Sequence, residues 1–339
     1  MTDPLSDVLR AVRLTGAVFF AIDASAPWVA ETPSGKALGP HIMPNVDHVI
    51  EYHVVKKGSC WGGLLDEPPV RLEAGDIVVF PQGDAHVMSS APGMRGTPDI
   101  DVHRSAAHSR LPVAISIDGG GSERAELICG FLGCDARPFN PLLATLPRMI
   151  HHLRGSGEAD TTLRRFVDLA LAESNAPRPG SDVVLAHLSE LLFVEAVRTY
   201  VAGLSPEKVG WLAGLRDENI GRALQKLHER PSHGWTLEDL AKEVGMSRSM
   251  LAERFTHFVG VPPIQYLAQW RIQLVASLLC TTKSTLAEIA DRVGYGSEAA
   301  LSRAFKRWVG VSPASYRKGE RSDASSSRFS LEKPSEQPE

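Results

Sequence analysis

A repeat near the C-terminus constrains this 339-residue chain more than any other feature. Residues 236–245, Thr-Leu-Glu-Asp-Leu-Ala-Lys-Glu-Val-Gly, align with residues 285–294, Thr-Leu-Ala-Glu-Ile-Ala-Asp-Arg-Val-Gly. After one extra residue, Gly296, residues 247–266 align with 297–316, with Ser247/Ser297, Leu251/Leu301, Phe255/Phe305, Pro263/Pro313 and Tyr266/Tyr316 in register. Each copy reads as helix, tight turn, helix. Thr236 and Thr285 are placed to cap a first helix, three residues ahead of Asp239 and Glu288. Leu240, Ala241 and Val244, like Ile289, Ala290 and Val293, recur at helical spacing and give that helix an apolar stripe. Gly245 and Gly294 stand where the chain must turn. Ser247 and Ser297 then cap a second helix, whose inner face is Leu251, Phe255 and Val259, or Leu301, Phe305 and Val309.

The second helix of such a pair is the one expected in a DNA major groove. Its outward residues are Arg248, Ser249, Ala252, Glu253 and His257 in the first copy. In the second they are Glu298, Ala299, Ser302, Arg303, Lys306 and Arg307. Arg pairs bidentately with guanine and Glu accepts from cytosine, so both faces carry base-reading chemistry. Between the copies, residues 263–279 form an apolar-periodic stretch. A helix of about 17 residues spans roughly 25 Å. That holds two reading helices about one DNA turn apart on one face of the duplex. The alternative is a helical repeat used for protein contacts.

Charge follows the same division. Residues 218–318 hold 14 Lys and Arg against 9 Asp and Glu, whereas residues 1–217 hold 19 against 26. A basic C-terminal part on an acidic body suits a polyanion-binding module joined to a non-binding partner. No apolar run reaches the roughly 18 residues of a membrane helix. Residues 1–13 lack a signal-peptide layout, so the expectation is a cytoplasmic protein. Four scattered cysteines do not make a disulfide framework.

The first 135 residues carry short β-prone runs bounded by turn residues, among them 49–55, 77–80 and 113–117. This pattern predicts a sandwich or barrel. Helical spacing appears at 142–153, 161–174 and 182–201. The last of these offers Leu185, Leu188, Leu191, Leu192, Val194 and Val197 either to its own domain or to a partner. The expected organisation is therefore α+β with two domains: residues 1–205 a β-barrel with trailing helices, 206–217 a linker, 218–318 an all-α domain. The Ser-, Glu- and Pro-rich tail, 319–339, is expected to be disordered.

Two resemblances sharpen this reading. Residues 218–318 resemble the DNA-binding domain of the AraC/XylS family, above all in Gly-Tyr-Gly-Ser-Glu-Ala-Ala-Leu-Ser-Arg-Ala-Phe-Lys-Arg-Trp-Val-Gly-Val-Ser-Pro-Ala-Ser-Tyr-Arg at 294–317. That resemblance implies a transcription activator, with RNA polymerase as a partner. It places base contacts on Ser249, Ala252 and Glu253, and on Glu298, Ala299, Ser302 and Arg303. Ala252 and Glu253 are poor donors, so the first head is expected to read fewer bases than the second.

Residues 75–86, Gly-Asp-Ile-Val-Val-Phe-Pro-Gln-Gly-Asp-Ala-His, resemble the second motif of the cupin barrel. Segments 126–131, 141–147, 178–181 and 188–192 resemble the cupin-type sensor of one AraC subgroup. The implication is a small-molecule effector site, and a homodimer through the helices at 161–201. Strand alternation puts Glu51 and His53 on one face and His48 on the other. With His86 they form a candidate effector site or divalent-metal site, although the paired His-x-His of the first cupin motif is absent. A metal-dependent cupin enzyme fused to a DNA-binding domain is the alternative function. Cys129 and Cys134 are candidate redox sensors, provided that they are exposed and of low pKa.

Overall fold

The structure is a computed structural model that describes residues 3–107, 112–152, 158–176, 178–205 and 207–319. The tail beyond residue 319 lies outside the described residues.

The N-terminal part begins with α1 (Pro4–Ala11), β1 (Thr15–Ser25), β2 (Val29–Thr32), α2 (Gly35–Ile42) and β3 (His48–Leu64). Next come β4 (Val70–Glu73), β5 (Ile77–Phe80), β6 (His86–Ser89), α3 (Ile100–Ala107), β7 (Val113–Asp118) and β8 (Arg124–Cys134). It closes with α4 (Pro141–Thr145), β9 (Ile150–His152), α5 (Glu158–Asn175) and α6 (Ser181–Ala202). The strands make one curled sheet in the order β2-β6-β3-β8-β1-β7, with β4 and β5 also on β3 and β9 on β5. The 17-residue β3 holds the curl together. Its first half pairs with β5 and β8, and its second half with β4 and β6. The result is a half-barrel.

Both faces of the central strands are covered, so β5 and much of β3 and β8 are buried throughout rather than in alternation, whereas edge strand β7 alternates. Ile50, Tyr52 and Val54 of β3, with Ile77 and Val79 of β5, pack with α4, α5 and α6 in one core. Val49, Val55, Val78 and Phe80 point the other way, into the half-barrel, beside Leu127, Cys129 and Phe131 of β8. Tyr52 is tied to α6 by a 2.6 Å hydrogen bond between its hydroxyl and that of Ser189. Leu185, Leu188, Leu192 and Val197 of α6 are buried in the same core. The apolar face of α6 is therefore spent mainly on its own domain, leaving Val183, Val184 and Leu191 exposed.

The helix expected at 142–153 is corrected: α4 stops at Thr145, and Pro147 precedes a strand. There β9 pairs Ile150 with Val79 and completes the sheet edge. The linker expected at 206–217 is corrected as well. It contains α7 (Trp211–Arg216), whose Trp211 and Leu212 are both 1% exposed. Six residues are too few for a helical period to show in the sequence.

The C-terminal part is wholly helical: α8 (Glu218–Glu229), α9 (Leu237–Val244), α10 (Arg248–Val259), α11 (Pro263–Thr281), α12 (Leu286–Val293), α13 (Glu298–Val309) and α14 (Pro313–Arg317). The expected signals are in place. Thr236 and Thr285 accept from the backbone of Asp239 and Glu288, and Thr285 with Glu288 forms a full capping box. Gly245 and Gly294 adopt φ of 72° and 82°, the left-handed turn that glycine takes without strain. Ser247 and Ser297 cap α10 and α13.

The two repeats are buried differently. Ile289, Ala290, Val293, Leu301 and Phe305 form a core with the C-terminal half of α11. Leu240, Ala241, Val244, Leu251 and Phe255 belong instead to a core that runs on through α7 and α8 into Val8, Ala11, Leu142 and the sheet. The first repeat and the N-terminal domain thus share one apolar interior.

Candidate nucleic-acid interface and sensor site

α10 and α13 each bury one stripe and leave the other outside. Arg248, Ser249, Glu253 and His257 are exposed and Ala252 is half-buried on α10. On α13, Glu298, Ala299, Arg303, Lys306 and Arg307 are exposed and Ser302 is half-buried. The expected reading faces are therefore outward, each behind a capped N-terminus. Their electrostatics differ. Arg254 of α10 is bound at 3.0 Å through Nε to Asp217, the N-cap of α8, and Arg248 lies 3.9 Å from Glu238. Arg303, Lys306 and Arg307 of α13 are in no ion pair among the described residues. The second helix thus presents three unneutralised cations and the first almost none. Met250, which the sequence did not single out, is 56% exposed on α10 beside the residues of its expected reading face. Its exposure follows from its place one residue off the Leu251 stripe.

Inside the half-barrel, Glu51, His53 and His86 come together as expected, at 1%, 6% and 0% exposure. β6 starts at His86, while Glu51 and His53 are alternate residues of β3 on the same face. His86 donates from Nδ1 to the Asp84 carbonyl at 2.9 Å. Its Nε2 is then an acceptor, so His53 donates to it from Nε2 at 2.7 Å. Phe80 stacks on His86 with ring centres 3.8 Å apart. Burial pulls His86 down to about 4 and His53 well below the usual imidazole range, so both rings are neutral. Burial pushes Glu51 well above the usual carboxylate range, favouring its acid form. Both Glu51 oxygens and His53 Nδ1 lack a hydrogen-bond partner.

The cupin resemblance implies a divalent metal at this trio, and the arrangement does not fit one. The Nε2 atoms of His53 and His86 are 2.7 Å apart, hydrogen-bonded to each other and closer than two imidazole ligands of one ion stand, with Glu51 3.7 Å from His86. Among the described residues, no group of three or more His, Cys, Asp or Glu side chains is disposed to hold a metal ion.

The cysteines do not meet the condition set for them. Cys129 faces the half-barrel interior and Cys134 the opposite core, as an odd separation along one strand requires. Both are buried, and burial pushes both thiols up, away from the reactive thiolate. Cys280 is the exposed one.

A curled sheet carrying paired, glycine-hinged helix-turn-helix units defines a transcription regulator that binds double-stranded DNA. Residues 3–202 match the family described as Cupin, and residues 240–319 the one described as Helix-turn-helix domain. The chain is 32% identical over 319 residues to a putative AraC-like transcription regulator of Streptomyces lividans, covering 93% of this chain and 98% of that protein. It is 31% identical over 316 residues to the HTH-type transcriptional regulator AlkR of Acinetobacter baylyi, covering 93% and 99%. It is 27% identical over 272 residues to the RCS-specific HTH-type transcriptional activator RclR of Escherichia coli, covering 79% and 84%. The chain belongs to the AraC-like transcription regulators. These relatives are regulators rather than enzymes, which sets aside the fused cupin enzyme. Among the described residues no helix is long and apolar enough to cross a membrane.

Proposed function

We propose that α10 and α13 read two successive major-groove segments on one face of a duplex, and that the half-barrel sets when they do so. The observation that carries this reading is the pair of exposed polar faces, each on a capped helix and both anchored to α11. Base contacts fall to Ser249, Ala252 and Glu253 on the first head and to Glu298, Ala299, Ser302 and Arg303 on the second. Arg248, His257, Lys306 and Arg307 flank them and face the phosphates. The α13 cations give the second head the larger share of salt-dependent affinity. Activation is supported by the relative named an activator, and RNA polymerase is the partner that activation would engage. The site of action is the cytoplasm, where bacterial DNA lies.

The effector site in this reading is the Glu51, His53 and His86 trio. Unpartnered buried polar atoms cost about 1–3 kcal/mol each. A small molecule or ion that hydrogen-bonds to them offsets that cost, and this difference is what a sensor needs. A contact path leads outward from it. Gln82, four residues before His86, donates from its side-chain amide to the carbonyls of Leu143 at 2.8 Å and Leu146 at 2.9 Å. Those residues lie in and just after α4, which packs on α7. Trp211 of α7 in turn donates to the Tyr266 hydroxyl at 2.8 Å. Exposed Val183, Val184 and Leu191 on α6, with Leu169 on α5, support a homodimer.

The test is selection of fragments from the native genome by the purified full chain at fixed, moderate salt. Enrichment of one sequence over bulk DNA is expected. Recovery of fragments without a shared sequence would refute the reading.

A further inference from the structure

The two helix-turn-helix units touch each other directly, and not only through the helix that joins them. Arg271 lies midway along the 19-residue α11. Its guanidinium donates from Nε to the Pro231 carbonyl at 2.7 Å and from Nη2 to the His233 carbonyl at 2.8 Å. Both carbonyls belong to the segment that leads from α8 into α9 of the first unit. That segment is stiffened locally. Trp235 donates from its indole to the Arg230 carbonyl at 3.2 Å, and the Arg230 guanidinium lies 4.6 Å over the Trp235 ring.

The same segment abuts the turn of the second unit. A Cβ on Gly294 would stand 2.5 Å from the Ser232 carbonyl oxygen, so the two backbones are in contact where only glycine fits. The equivalent Gly245 of the first unit has nothing within 4 Å of that position. The glycine common to both turns therefore serves φ in the first and, in the second, both φ and a contact between units.

The rest of the connection is α11 itself. Tyr266, Leu267 and Trp270 seat its first half in the core of the first unit. Ile272, Val275, Ala276 and Leu279 seat its second half in the core of the second. A single helix resists bending, but it leaves each unit able to rock on its own patch of side chains. Each base pair added to a duplex turns the next major-groove segment by about 34° and moves it by about 3.4 Å, given about 10.5 pairs per turn of about 35 Å. A rocking motion of that size lets a loosely joined pair accept more than one spacing.

We propose that Arg271, with the Ser232–Gly294 contact, braces the two units at one angle and separation, and so sets the number of base pairs allowed between the two DNA segments. The inference rests on the two-head reading above. Arg271 is a positioning residue here: it acts through the backbone of the first unit.

The experiment uses the full chain and a duplex selected from a random-sequence pool by the wild-type protein. That duplex is footprinted and remade with one base pair inserted or removed between the protected blocks. The wild type is expected to lose at least about 10-fold in affinity for either change, the size of one poor base position. Arg271→Ala and Gly294→Ala are expected to lose less than about 3-fold for the same change, because the units can adjust. Arg271→Lys keeps a cationic N–H donor but not the fork that spans both carbonyls, and is expected to restore part of the penalty. A purely structural role would weaken binding at every spacing alike and leave the ratio untouched. A folded variant of either site with the wild-type spacing penalty overturns the brace. Gly294→Ala carries the test alone if Arg271→Ala does not fold. A single protected block would overturn the two-head reading, and the brace with it.

Discussion

Replacing Tyr266 by Phe tests the shared interior of the sensor and the first reading head. Tyr266 is 0% exposed. Its hydroxyl accepts from Trp211 Nε1 at 2.8 Å and is 2.7 Å from His228 Nε2. With one proton and two lone pairs, the hydroxyl bridges the indole and the imidazole whichever nitrogen of His228 carries the proton. His228 Nδ1 lies 3.6 Å from Asp7 of α1, beyond hydrogen-bond reach. The bridge Trp211–Tyr266–His228 joins α7, α11 and α8. Tyr266→Phe removes one oxygen and no apolar contact. It leaves an indole N–H and an imidazole nitrogen buried without partners. At about 1–3 kcal/mol for each orphaned group, the loss is about 2–6 kcal/mol, a large share of the roughly 5–15 kcal/mol that holds a domain folded. Urea unfolding of the full chain, followed by tryptophan fluorescence and by circular dichroism, measures it. The expected result is a lower midpoint with an unchanged slope, and coincident curves from the two probes. A variant within about 1 kcal/mol of wild type would refute the inference that this hydroxyl holds the junction, since neither partner could then have been left unpaired.

Three further outcomes follow from the sites. Arg303→Ala is expected to cost about 1–3 kcal/mol at one base position and to lower the ratio of specific to non-specific affinity at fixed salt, whereas Glu253→Ala changes it less. Folding stability is expected to fall as pH drops from about 6.5 to 4. Over that window the unfolded chain takes up a proton at His86 that the folded one, with His86 at about 4, refuses. The difference amounts to about 3 kcal/mol at about 1.4 kcal/mol per unit, and His86→Gln should make that part of the curve shallower, with the share of His53, which is lowered too, remaining. Glu51 acts in the opposite sense, because its raised pKa makes the folded state the stronger proton binder above the usual carboxylate range. In the native protein a thiol reagent is expected to label Cys280 alone among the four cysteines, with Cys60, Cys129 and Cys134 reacting only on unfolding.

The C-terminal domain was largely legible in the sequence because each of its signals is local. A cap, a stripe and a glycine lie within ten residues of one another, and the repeat states them twice. The interior trio was legible in part. Strand alternation put Glu51 and His53 on one face, and the turn before His86 delivered it there. What it could not show was how close the two imidazoles stand, and their 2.7 Å separation is what decides against a metal. Alternation also forbids a Cys129–Cys134 pair on one face, a signal that was present and unused. The domain junction was illegible. α7 is six residues long, and the partners Asp7, His228 and Gln273 are separated by up to 266 positions along the chain. Gln273 is wholly buried, donating to the Ala11 carbonyl and accepting from the Phe139 backbone. Nothing near it in the sequence announces either contact.

The central claim is that one chain lays two reading helices along one face of a duplex. Methylation interference and hydroxyl-radical footprinting of the full chain on its selected DNA test it most directly. Two blocks of major-groove guanine contact about one turn apart, on the same face, are the predicted result. One block, or two on opposite faces, would contradict it.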